Sequence, residues 1–173
     1  MNRPDPIDVL NRLLRLVYRS LPVYLAGGQI GDGPQSPWQT EAAPSFPPTV
    51  WSRDREAPGL AVLQTIAADR RRLATRLAAA IDQRDGTPET GRFPQLFTAM
   101  NDLSLDYILD RVGREQQEQI PVLRRSLAEL EGDPEAHALA AEILANACKH
   151  GEMLEGLKSV PASLPAPFGK EPA

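Results

Sequence analysis

The chain has 173 residues, 42% of them hydrophobic, which is enough to bury one sizeable core and leaves little room for two. Its net charge is −4 and its pI about 5.2, so no global positive excess exists to hold a phosphate backbone, and nucleic acid is not an expected partner. The single cysteine, Cys148, rules out an internal disulfide framework and suits a reducing cytosol.

The opening stretch MNRPDPIDVLNRLLRLVYRSL interleaves Arg and Asp with apolar residues and lacks the uninterrupted apolar run of a signal peptide. No later run is long and apolar enough to span a bilayer, so the expected location is the cytoplasm, with no membrane partner. Leu10, Leu14, Val17, Leu21 and Leu25 recur at helical spacing and predict a first helix over 6–26, ended by Gly27 and Gly28. The next stretch, 27–57, is rich in Pro and Gly without periodicity and reads as an irregular connector. Trp38, Phe46 and Trp51 predict that parts of it pack on the domain, as a capping loop or as a lid over a ligand.

A second helix is predicted over 58–83, with Leu63, Ile66, Leu73, Leu77 and Ile81 on one face. Its basic run ADRRRLATR reads as a solvated face, the alternative being a phosphate site. A third helix is predicted over 101–131, capped by Asn101 or Asp102, and a fourth over 134–158, with Pro134 in its first turn. Residues 159–173 form a Pro-rich tail too poor in apolar residues to extend the core. Nothing alternates with period two, so the expected fold class is all-α: a helix bundle over 1–158, its last two helices an antiparallel hairpin about EGDP. The longer connectors leave room for one helix to be reached by a crossover.

The segment ILANACKHGEML, with His150 on its apolar stripe, and IAADRRRLA in the second helix together resemble the paired motifs of the ferritin-like family. The resemblance implies a four-helix bundle whose first and third helices each give a carboxylate and whose second and fourth each give Glu-x-x-His, holding two irons inside. The spacing has a reason, since residues three apart share a helix face and can reach one ion pair.

Carried onto this chain, the motif is mostly broken. Val17, in RLVYRS, stands where the resemblance implies the first glutamate. In the second helix Asp69 takes the glutamate position and Arg72 the histidine position. The run EQQEQ makes Glu115 the nearest candidate for the third helix's carboxylate, with Gln116 and Gln119 also able to face inward. In the fourth helix Ala147 replaces glutamate and His150 remains. The candidate metal ligands are therefore Asp69, Glu115 and His150, against a plainer reading of His150 as a hydrogen-bonded core residue. Arg72 either pairs with Asp69 or Glu115 in place of the metal charge, or sits on the flank and points to water.

Cys148 and His150 diverge around the helix, so they make no nucleophile pair, and the chain has no Gly-rich phosphate loop, Cys-x-x-Cys or nucleophile elbow. The expected function is a non-catalytic binding or scaffolding protein, associating with a protein partner or with itself through a helix face, with no cofactor. The alternatives are a divergent oxidoreductase or storage protein with weakly bound iron or manganese, and a small-molecule carrier using the bundle core.

Overall fold

A computed structural model describes residues 4–26, 57–100 and 103–158. The 27–57 connector apart from its last residue, its Trp38, Phe46 and Trp51, and the 159–173 tail lie outside the described residues. Within them the chain is all-helical, with no strand. The elements are α1 (Pro6–Tyr18), α2 (Leu21–Leu25), α3 (Ala57–Asp82), a 3-10 helix (Gln95–Met100), α4 (Leu105–Glu129) and α5 (Pro134–Lys158).

The first predicted helix is in fact two. A helix continued through Pro22 would drive the proline ring into the Tyr18 carbonyl and would lack one N–H. The chain avoids this by turning extended at Ser20, with φ −87° and ψ 151°, and placing Pro22 in the first turn of α2, where its missing N–H is harmless. The third predicted helix also begins later than expected. Its cap is Ser104, whose hydroxyl accepts from the Tyr107 N–H, rather than Asn101 or Asp102. The second and fourth helices fall within one residue of their expected bounds.

Two hydrophobic cores divide the molecule. One gathers Leu10, Leu14 and Val17 of α1, Leu73, Leu77 and Ile81 of α3, Leu123 of α4, and Leu139, Ile143 and Ala147 of α5. The other gathers Leu21 and Leu25 of α2, Leu63 and Ile66 of α3, Phe97, Ile108 and Val112, and Leu154 of α5. The order in which each helix visits these cores gives its direction. Going from α1 into α2 the chain passes from the first core to the second, α3 and α4 both run from the second to the first, and α5 returns. Hence α1 is antiparallel to α3, α4 parallel to α3, and α5 antiparallel to α4.

Because α3 and α4 run the same way, the chain between them must cross back along the helices. Helix α3 stops where Asp85 takes φ 55° and the Gly86 N–H bonds back to the Ile81 carbonyl. The crossover then follows α1. Asn11 donates to the Thr87 carbonyl and accepts from the Glu89 N–H at 2.8 Å, and Arg15 pairs with Glu89 at 2.8 Å. Gly91, at φ +66°, lets the Arg19 side chain lie against the backbone, where a Cβ would meet Arg19 Cδ at 3.3 Å. Phe93 then closes on the rings of Tyr18 and Tyr24 at centroid distances of 5.3 and 5.5 Å.

The turn between α4 and α5 is fastened to the end of α3. Asp133 accepts from the Ala136 N–H at 3.0 Å, capping α5, and takes a two-point contact from Arg84 at 3.0 and 2.9 Å.

Candidate functional site

Between the two cores lies a polar layer, and helical spacing puts it there. On α3 the buried stripe runs Leu63, Ile66, Arg70, Leu73, Leu77, so an arginine occupies a core position. On α4 the stripe runs Ile108, Val112, Gln116, Leu123, and on α5 it runs Ile143, Ala147, His150, Leu154. Arg70 is 5% exposed, and Gln116 and His150 are each 1% exposed.

The layer is held by side-chain hydrogen bonds of ordinary length. One guanidinium nitrogen of Arg70, Nη2, donates to the side-chain carbonyls of Gln116 at 2.8 Å and Gln119 at 2.9 Å. Gln119 in turn donates to Glu115 at 3.2 Å. Across the layer, His150 Nε2 lies 3.0 Å from Asp69 Oδ2. An ionised carboxylate can only accept, so this contact assigns the proton to Nε2 when the ring is neutral.

Electrostatics follow from burial. Desolvation is the largest influence on His150 and lowers its pKa below 6.5; the charges of Arg70 and Lys149 act in the same sense, and the Asp69 contact opposes them. The ring is therefore neutral at neutral pH. Desolvation likewise depresses the Arg70 pKa, with Glu115 pulling it back up. Glu115 is raised, again first by desolvation, against the opposing charges of Arg70 and Arg111 and the Leu21 backbone N–H.

Asp69 and His150 thus come together, while Glu115 belongs to the Gln119 and Arg70 side of the layer. Among the described residues no three His, Cys, Asp or Glu side chains are grouped as a metal would require. Arg72 lies on the flank, 52% exposed, where it pairs with Glu142 at 3.1 Å and reaches Asp69 at 3.7 Å. The internal cation is its neighbour Arg70, so the basic run is not wholly a solvated face.

Sequence reasoning passed over Arg70, although a signal was present. The apolar positions Ile66 and Leu73 are seven residues apart, and a helix must bring one residue between them onto the same face.

Val17, Arg70, Gln116, Ala147 and His150 together line one interior gap of about 10 Å³, space for a single water-sized molecule. Arg70 Nη1 and Gln116 Nε2 are buried donors without a protein partner among the described residues. Among the described residues the lining of the gap includes no thiol or hydroxyl side chain. Chemically, the layer can orient and neutralise buried charge.

No helix among the described residues is long and apolar enough to cross a membrane. Compared with protein-family models, with curated proteins and with solved structures, the chain matches none.

Proposed function

We propose that the chain is a ferritin-like bundle whose central metal layer has been replaced by hydrogen-bonded side chains, and that it serves as a non-catalytic binding or scaffolding protein. One observation carries this reading. The positions to which the family's ligands were assigned on α1 and α5, Val17, Ala147 and His150, line a single gap at the edge of the first core, and Arg70 lines it with them. The helix directions support it too, since a single long crossover between the second and third long helices accords with ferritin-like connectivity.

The donor set does not suit two irons. Valine and alanine offer no lone pair, and a guanidinium supplies in place a positive charge that two metal ions would otherwise bring. Leaving carboxylates unpaired in the interior would be costly, and Arg70 with Gln116 and Gln119 removes that cost without a metal. The function left to such a rigid helical body is contact with a protein, either a partner or a second copy, through an outer helix face.

The test is elemental analysis of protein purified without chelator, then supplied with iron and oxygen. The reading expects substoichiometric, chelator-labile metal and no ferroxidase turnover. About two tightly bound irons per chain with turnover, the content of an intact family site, would overturn it.

A second reading draws on the contact between Asp69 and His150 at 3.0 Å, a carboxylate and an imidazole of the kind that suits iron or manganese. It makes the chain a weak mononuclear metal binder, with Glu115 recruited by movement of α4. Metal binding lost in His150→Ala, with the fold intact, would favour it.

A further inference from the structure

A surface groove lies between the end of α1, the 3-10 helix and α4. One part, about 300 Å³, is lined by Arg19, Leu96, Phe97, Arg111, Arg114 and Glu118. It continues past Arg19 and Pro94 into a second part of about 360 Å³ beside Arg12 and Arg15.

Its charge is not internally balanced. Arg12 and Arg15 are taken up by Glu129 and Glu89. Arg19, Arg111 and Arg114 form no ion pair among the described residues, and Arg19 Nε is buried without a partner. Three guanidinium groups without an ion pair among the described residues thus converge on one groove, against the carboxylates of Glu115 and Glu118, in a chain whose net charge is −4.

The groove also has an apolar wall. Leu96, at 55% exposure, is the most exposed large hydrophobic residue described, and it stands beside Arg111 and Arg114. Tyr107, also exposed, lies one turn before Arg111 on the same face of α4. Forked guanidinium groups beside an exposed leucine suit carboxylates next to an apolar side chain.

Resting on the reading of the chain as a binding module, we infer that this groove docks an acidic segment of a protein partner. Its carboxylates pair with Arg19, Arg111 and Arg114, and a neighbouring hydrophobic side chain covers Leu96. Glu115 and Glu118 stand along the same groove, so a peptide that places its carboxylates only at the arginines fits, whereas a polyphosphate backbone, charged at every repeat, would also meet both glutamates.

The experiment uses an array of short peptides built from Glu and Leu, each matched by a version with Gln for Glu, probed with the full chain. The strongest peptide is then titrated in solution. The expected result is binding to the acidic set alone, weakened by salt, and at least about tenfold weaker in Arg111→Glu/Arg114→Glu with unchanged helicity and melting. A matched control, Arg124→Glu/Arg125→Glu, places the same charge change on exposed positions elsewhere on α4 and should retain binding. Equal binding to the Gln peptides, no binding at all, or equal loss in both variants overturns the proposal. Preferential capture of a single-stranded oligonucleotide would overturn it as well, in favour of nucleic acid. If the groove fails while the protein still shows no ferroxidase turnover, the scaffolding reading survives with its partner on another face; turnover would defeat that reading whatever the groove does.

Discussion

His150 and Asp69 meet across the polar layer at 3.0 Å and tie α5 to α3 between the two cores. The imidazole is buried and its partner is partly covered, so removing either end strands the other. His150→Ala should cost about 1–3 kcal/mol by urea denaturation, from the lost contact and the space left behind. Asp69→Asn keeps an acceptor for Nε2–H and should cost less. If His150→Ala left stability unchanged, the contact would not be holding the helices together.

Arg70 should behave as a buried charge with obligatory partners. Arg70→Ala leaves Gln116 and Gln119 without their shared donor and Glu115 without its compensating charge, and should destabilise by about 3–5 kcal/mol. The combined change Arg70→Met, Gln116→Leu and Gln119→Leu swaps the network for apolar side chains of similar size. It should recover the part of that loss due to the stranded glutamines, while the part due to Glu115, still without Arg70, remains. A triple variant as unstable as Arg70→Ala would show that the layer contributes more than mutual compensation.

The pH profile should carry two opposed contributions from the same layer. His150 has a folded pKa below its usual 6.5, so between those values the unfolded chain binds more protons and stability rises with pH. Its contribution is whole above about pH 6.5 and is lost as pH falls toward the folded value. Glu115 has a folded pKa above 4.5, so the folded chain binds more protons there and stability falls as pH rises through the folded value. Denaturation midpoints of the parent should drop on acidification below about pH 6.5, and in His150→Gln that drop should flatten. An unchanged slope in the variant would assign the effect elsewhere.

The joint at Asp133 serves two elements at once. Desolvation, the largest single influence on it, raises its pKa, yet the Ala136 N–H and Arg84 together hold the carboxyl below 3.8. Asp133→Ala removes both the cap of α5 and the two-point contact with Arg84, and should cost about 1–3 kcal/mol. Asp133→Asn keeps an oxygen for the cap and should cost roughly half as much, a difference that thermal melts of the two variants will show.

Much of the fold was legible before any coordinates. Leu63, Ile66, Leu73, Leu77 and Ile81 predicted the buried face of α3, and Pro134 marked the start of α5, because amphipathic spacing and proline chemistry act within a few residues of themselves. The break at Pro22 was equally local and was missed because the apolar rhythm of Leu21 and Leu25 continues across it. His150 stood out as a buried polar residue on one helix, but its partner did not follow from spacing. Asp69 is 81 positions away, and only the antiparallel contact of α3 and α5 brings them together. Spacing from Ile66 and Leu73 marks Arg70 rather than Arg72 as the inward arginine, but its partners, Gln116 and Gln119 of α4, belonged to tertiary structure. The groove of Arg19, Arg111 and Arg114 is further still from sequence, since it draws on three elements brought together only by the crossover between α3 and α4. Periodicity therefore determined which residues of each helix are buried, and packing alone decided which buried polar groups face one another, because such contacts are formed by chain segments that sequence order keeps far apart.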